Sequence, residues 1–222
     1  MTTLNLLIIV YGSCSRDPAN DERFGAEQRR AEITLNPIIP ATAKTIEQKH
    51  KWVEGFLQRI GRDMKHTRNW RCEFCKKHAR ETVWMNSSWI HLAPPKMNSY
   101  VHNICDAGKG PCYEQLRGCE AQVARMNGVP PAGPPLPKTQ KSYPMSASCI
   151  VCNNEASESR KNLKQCARCE LTRYCRFGNL LWTRSRTQKC PDPFLSVECQ
   201  RQDWKRHKEC CKVVKEVKWV WN

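Results

Sequence analysis

Apolar residues come in short, unequal bursts along this chain, and one burst holds a clear period. Ile46, Trp52, Val53, Phe56, Leu57, Ile60 and Met64 recur at helical spacing on one face. Thr45 followed by Gln48 is a capping-box pattern just ahead of them. An amphipathic helix facing a core is the prediction. The run Leu4 to Tyr11 (LNLLIIVY) is short for a secretory leader, lacks a basic segment before it, and reads equally as a buried strand. Residues 13–40 look irregular, because SCSRDPANDERFG is turn-rich and Pro37 and Pro40 interrupt any helix begun at Ala26. Two short strands are expected at 82–85 and 99–104, separated by Pro94-Pro95. A second helix is expected from Tyr113 to Met126, with Leu116, Val123 and Met126 inward and Gly128 as its stop.

Beyond that helix lies GVPPAGPPLPKTQKSYP, a proline-rich stretch that should be extended and solvated. It divides the chain into an N-terminal domain, residues 1–128, a linker, 129–148, and a C-terminal part. No run is long enough for a transmembrane helix. A reducing intracellular setting, nucleus or cytoplasm, is expected.

Composition makes the core thin. The mean hydropathy is −0.69, and the 222 residues carry a formal charge of +16. Such a chain needs staples, and its 15 cysteines and 8 tryptophans are what it has. The cysteine spacing favours metals over disulfides. Residues 149–222 hold 16 basic against 8 acidic side chains. Zinc-bound thiols are thiolates, so part of that excess would balance metal clusters rather than attract a polyanion.

The spacing itself is Cys149-x2-Cys152, Cys166-x2-Cys169, Tyr174-Cys175, Cys199-Gln200, then Trp204, His207 and Cys211. Eight donors suffice for two tetrahedral zinc ions. His207 and Cys211 stand four apart, so one helix face can present both. The order C-x2-C, C-x2-C, Y-C, C-Q, W, H, C resembles the MYND-type zinc finger. That resemblance implies a cross-braced pair of zinc sites, Cys149, Cys152, Cys175 and Cys199 on one ion, Cys166, Cys169, His207 and Cys211 on the other. It also implies binding of proline-containing peptides, with Gln200 and Trp204 lining the groove. The chain departs from the family between Cys175 and Cys199, where 23 residues stand in place of about three. Removing Arg176 to Leu195 restores the family pattern, so 176–195 is either a tolerated surface loop or an unremoved intron translated into the protein.

A second constellation lies upstream: Cys72-x2-Cys75 and His102-x2-Cys105, with His78 and Cys112 as alternative fourth donors. It is a candidate third zinc site. The expected fold class is therefore α+β, small and metal-stabilised. A mixed N-terminal domain with few helices and short strands precedes a double-zinc finger over 149–211 that ends in a helix, and a basic helical extension follows over 212–222. The expected function is a zinc-binding adaptor or regulatory protein. The cofactor would be Zn²⁺, two ions and a third if the upstream constellation closes, and the partners proline-rich segments of other proteins. The alternative is a nucleic-acid-associated regulator using Lys205, Arg206, Lys208, Lys212, Lys215, Lys218, Trp219 and Trp221. The Asn-His-Ser-Cys stretch and Gly-rich loop of SET-type methyltransferases are absent, so no enzyme is expected.

Overall fold

The computed structural model describes residues 2–12, 29–126, 128–130, 133, 143–153, 155, 163–175 and 196–219, with backbone alone at 29–30 and 196–198. The insertion 176–195, Cys14, Cys190, Trp221 and most of the proline-rich linker lie outside the described residues.

The N-terminal apolar run is the middle of a sheet. Strand β1 (Thr2–Thr3) leads into β2 (Asn5–Tyr11), where Leu4, Leu6, Ile8 and Val10 are at most 1% exposed. Ile9 on the opposite face is also buried, and this explains why apolar residues run on without polar alternation. Strand β3 (Arg29–Leu35) pairs antiparallel to β2, and β4 (Ile38–Ile39) pairs with β1. The irregular region expected over 13–40 is thus strand in its second half. Ala31, Ile33 and Leu35 are buried while Glu32 and Thr34 alternate with them. Pro37 sits just past the strand end, where its carbonyl accepts the Leu4 N–H at 2.9 Å.

Helix α1 (Ile46–His66) begins with the capping box: Gln48 N–H donates to Thr45 Oγ1 at 3.2 Å, and Thr45 N–H donates to Gln48 Oε1 at 3.2 Å. Val53, Phe56, Leu57, Ile60 and Met64 enter the core, whereas Ile46 in the first turn is exposed. Strands β5 (Glu81–Trp89) and β6 (Lys96–Ile104) form an antiparallel pair. Both are longer than the sequence led us to expect, because the turn holding Pro94-Pro95 joins them without shortening their ladder. Strand β6 lies parallel to β2.

Helix α2 (Pro111–Met126) buries Cys112, Leu116 and Ala124, a row at multiples of four. Val123 and Met126, expected inward, are 48% and 79% exposed. Only the stripe that starts at Cys112 meets the sheet, and it passes beside those two residues. The helix stops as expected at Gly128, whose φ is +64°. Val129 N–H donates to Ala124 O and Gly128 N–H to Arg125 O, the paired closure of a Schellman end.

Two-residue strands β7 (Lys164–Gln165) and β8 (Arg173–Tyr174) form a hairpin, and helix α3 (Ser196–Cys211) follows. The helical extension expected over 212–222 is not found among the described residues 212–219. Residues Val214–Trp219 form strand β9, antiparallel to β3, completing a mixed sheet in the order β5-β6-β2-β3-β9. Val214, Val217 and Trp219 are β-formers that turn partly buried faces to the sheet. The Trp219 ring lies 6.4 Å from that of Trp70, and the Arg68 guanidinium sits 4.2 Å above it. The finger-like segment is therefore inserted into the fold: the chain leaves the sheet after β6 and returns to it in β9. No helix among the described residues is long and apolar enough to cross a membrane.

Ile60 is fully buried while Val123 and Met126 face solvent. Ile60→Ala should cost about 2–5 kcal/mol of stability in denaturant unfolding. Val123→Ala and Met126→Ala should stay within about 0.5 kcal/mol. A cost for Val123→Ala matching that of Ile60→Ala would place it in the core after all.

Candidate metal centres

Three turns of one design carry the CxxC pairs. In each, the N–H of the fourth residue after the first cysteine donates back to that cysteine's carbonyl. These bonds are Lys76 to Cys72 at 3.0 Å, Asn153 to Cys149 at 2.9 Å and Glu170 to Cys166 at 2.9 Å. The donor residue has left-handed φ each time, +61° at Lys76, +55° at Asn153 and +57° at Glu170. Non-glycine residues rarely take that conformation, yet three of the four described here that do stand at these turns. The conformation bends the chain so that both sulfurs face the same side.

Other elements bring two further donors to each turn. Cys105 directly follows β6 and Cys112 opens α2; together with Cys72 and Cys75 they put four sulfurs within 4.8 Å of one another. Cys175 follows β8 and Cys199 lies in the first turn of α3, and both meet Cys149 and Cys152. His207 and Cys211, one turn apart on α3, meet Cys166 and Cys169. These last two sets are the interleaved sets expected from the sequence. In the first set Cys112 takes the place expected for His102. The His102 ring stacks on Tyr11 at 5.0 Å, and its Nδ1 lies 2.8 Å from Glu73 Oε2. Strand geometry turns it away from the cysteines, whereas Cys105 beyond the strand end is free to approach them.

The spacing within the clusters fits a metal ion. Tetrahedral zinc with thiolates at about 2.3 Å has sulfur–sulfur edges of about 3.8 Å. Cys75–Cys105 measures 3.7 Å, Cys166–Cys211 3.9 Å and Cys152–Cys175 3.4 Å. The edge from Cys169 Sγ to His207 Nε2 is 3.6 Å. A disulfide would need about 2.05 Å, and the clustered cysteines are all free thiols. Each of the three clusters could hold a metal ion.

Ionisation within each cluster is uneven. Burial pushes the Cys75 thiol up, but hydrogen bonds from the Lys77 backbone and the neighbouring thiols outweigh it and hold it below the usual range. Cys152 pushes Cys149 up, and Cys175 and Cys199 outweigh that to leave it at about 6. Hydrogen bonding from Cys169 brings Cys166 down to about 3. The surrounding sulfurs resist. Bonds to the easily ionised member raise Cys169, Cys175 and Cys199, while burial raises Cys105, Cys112 and Cys211. In each site one thiol ionises more easily than its neighbours, and a divalent cation is what would draw the others into ionisation.

An ion-pair network supports His207. Its Nδ1 lies 3.2 Å from Oδ1 of Asp63 on α1, which is 1% exposed, so Nδ1–H donates to Asp63 and Nε2 is left for the sulfur cluster. Burial pushes the His207 imidazole down, but the bond to Asp63 and the nearby Cys166 raise it to about 9. Arg206 grips Asp63 through Nη1 at 2.9 Å and Nη2 at 2.8 Å, and grips Asp203 through Nε at 2.7 Å and Nη2 at 2.6 Å. The Tyr174 hydroxyl donates to Asp203 Oδ2 at 2.8 Å. Asp63, Asp203 and His207 also lie close enough to surround a cation, but the Arg206 guanidinium already fills that place. Asp63 escaped the sequence analysis. Its signal was a carboxylate on the apolar stripe of α1, three residues past Ile60 and one before Met64.

Gln200 and Trp204 share the outer side of α3. Gln200 is exposed, and Trp204 is 45% exposed, with its ring 6.3 Å from that of His207. The spare thiol Cys210 is buried outside the clusters, and burial pushes it up to about 12.

Asp63→Asn should lower metal affinity at the Cys166, Cys169, His207 and Cys211 cluster by about 10–100-fold, because the imidazole loses its anionic orienting partner. Competition with a chromophoric chelator would measure it, and the other two clusters should be unaffected.

Comparison of the chain with protein-family models, with curated proteins and with solved structures gives no match. The chemistry of these clusters is what speaks to its role.

Proposed function

We propose that residues 149–211 are a MYND-type zinc finger that binds proline-containing peptide segments, and that the protein acts as an adaptor or regulator rather than as a catalyst. The interleaving of the two C-terminal donor sets carries this reading. The first and third contributors (149/152 with 175/199) alternate along the chain with the second and fourth (166/169 with 207/211). Such cross-bracing fixes a short chain without a large apolar core, and zinc is the cation whose ligand preference matches Cys₄ and Cys₃His. Each zinc would supply on the order of 10 kcal/mol of apparent folding free energy. Both sets are complete with four protein donors, leaving no position for a reacting water, and this favours a structural role for the ions.

The recognition surface would be α3. Trp204 offers an indole face beside the exposed amide of Gln200. An indole packs well against proline rings, and an amide can serve the unpaired backbone groups of an extended peptide. Three of the residues on which the nucleic-acid alternative draws are engaged elsewhere. Arg206 is held by Asp63 and Asp203, Lys212 pairs with Glu209, and Trp219 packs on Trp70.

Trp204→Ala should keep both zinc ions and weaken binding to a proline-rich peptide roughly 30-fold or more, as for an aromatic hot spot. Native mass spectrometry and calorimetry would read the two quantities separately. Peptide binding unchanged in this variant would remove the groove. Steep loss of binding to single- or double-stranded oligonucleotides with added salt, alongside no peptide binding, would favour the nucleic-acid role instead.

A further inference from the structure

We infer that Cys72, Cys75, Cys105 and Cys112 bind a third zinc ion, and that this ion fastens helix α2 to the sheet. The site lies outside the proposed finger and does not depend on that reading.

Three features carry it. The four sulfurs lie within 4.8 Å of one another, and the Cys75–Cys105 separation of 3.7 Å is that of a tetrahedral edge. The Cys72–Cys75 turn is built like the two in the finger, down to the left-handed residue at Lys76 and its N–H bond to the Cys72 carbonyl. Cys72 N–H additionally donates to Lys77 O at 2.6 Å, closing the turn from its other side. A chain accepts such a conformation where something over-determines it, and nothing else in this turn calls for both sulfurs to face one point.

The surroundings say what the ion does. The local apolar cluster has four buried members, Cys72, Ile104, Cys112 and Leu116, and two of them are the sulfur ligands themselves. Helix α2 spans 16 residues but buries only Cys112, Leu116 and Ala124. Two apolar side chains are little to hold a helix of that length in place. A bond from Cys112 to an ion shared with the Cys72–Cys75 turn and with Cys105 at the end of β6 would anchor the helix at its first turn. The proline-rich stretch leading to the finger departs from the other end of that helix, so the same ion would set where that stretch begins. Four thiolates leave no open position, which makes the ion structural. Lys76 and Lys77 in the turn suit the net negative charge of a zinc tetrathiolate.

The test uses the full-length chain purified under reducing conditions. Native mass spectrometry with elemental analysis should find three zinc ions per chain, falling to two in Cys112→Ser and staying at three in His102→Ala. In Cys112→Ser, amide hydrogens of residues 113–126 should exchange at least tenfold faster, while those of β2 and α3 keep their protection. Should Cys112→Ser not fold, cobalt titration of the chelator-treated wild-type chain decides instead, with thiolate charge-transfer bands saturating at three equivalents. A zinc count unchanged in Cys112→Ser, cobalt saturation at two equivalents in a wild-type chain whose His207→Ala and Cys199→Ser variants each lose one, iron in place of zinc, or loss of an ion in His102→Ala would each overturn the inference. A chain whose Cys112-dependent ion persists when His207→Ala and Cys199→Ser change nothing would keep this site while sinking the double-zinc finger.

Discussion

Crowding of thiols is the constraint on which the rest of this molecule depends. Three or four sulfurs within 4.8 Å of one another form a poor arrangement for an unaided polypeptide. Once one ionises, its neighbours are held neutral by repulsion and by the hydrogen bonds they give to it. The uneven ionisation of Cys166 against Cys169, and of Cys149 against Cys175, is that penalty made visible. A divalent cation reverses its sign, turning each further thiolate into a favourable contact. The turns, strand ends and helix starts that deliver the sulfurs make sense as a framework organised around such ions.

The C-terminal clusters are also sewn to helix α1 and the segment that follows it. Asp63 on α1 holds Arg206 and His207 together. Nearby, Ser146 donates from N–H to Ala79 O and from Oγ to Trp70 O, both at 2.8 Å. Arg62 reaches Ile150 O at 3.2 Å, and Arg173 reaches Thr67 O at 3.0 Å. Strand β9 then adds a full edge to the sheet. Breaking a buried pair such as Arg206–Asp63 by removing one partner leaves an uncompensated charge, a disruption of about 3–5 kcal/mol in comparable cases. Folding of the finger-like segment and folding of the sheet are thus coupled events, although the proline-rich stretch divides them in sequence.

Coupling of this kind gives the proposed peptide-binding helix a rigid base. Helix α3 turns one side inward, with His207 and Cys211 in a donor cluster that could hold a metal ion and Arg206 and Asp203 in the ion-pair network. Its other side leaves Gln200 and Trp204 open. A helix locked from within can hold an indole at a fixed angle, and pre-organisation of that sort lowers the entropic cost of gripping an extended ligand.

Local chemistry was readable along the chain, because it depends on near neighbours. The capping box at Thr45, the stripe from Val53 to Met64, the Gly128 stop and the CxxC pairs each follow from residues within a few positions of one another. Period-2 alternation in Ala31, Ile33 and Leu35 was equally local, but the prolines beside it masked the strand. What only the tertiary structure decided are relations across the chain. Cys112 rather than His102 completes the upstream cluster, since a strand aims His102 at Glu73 and Tyr11 while a helix start carries Cys112 inward. Val214–Trp219 is a strand because β3 offers it an open edge, and Asp63 is buried because Arg206, more than a hundred residues later, neutralises it. Spacing reports which donors can share a turn; which distant segments meet depends on how much apolar surface and how many hydrogen bonds the whole chain can satisfy at once.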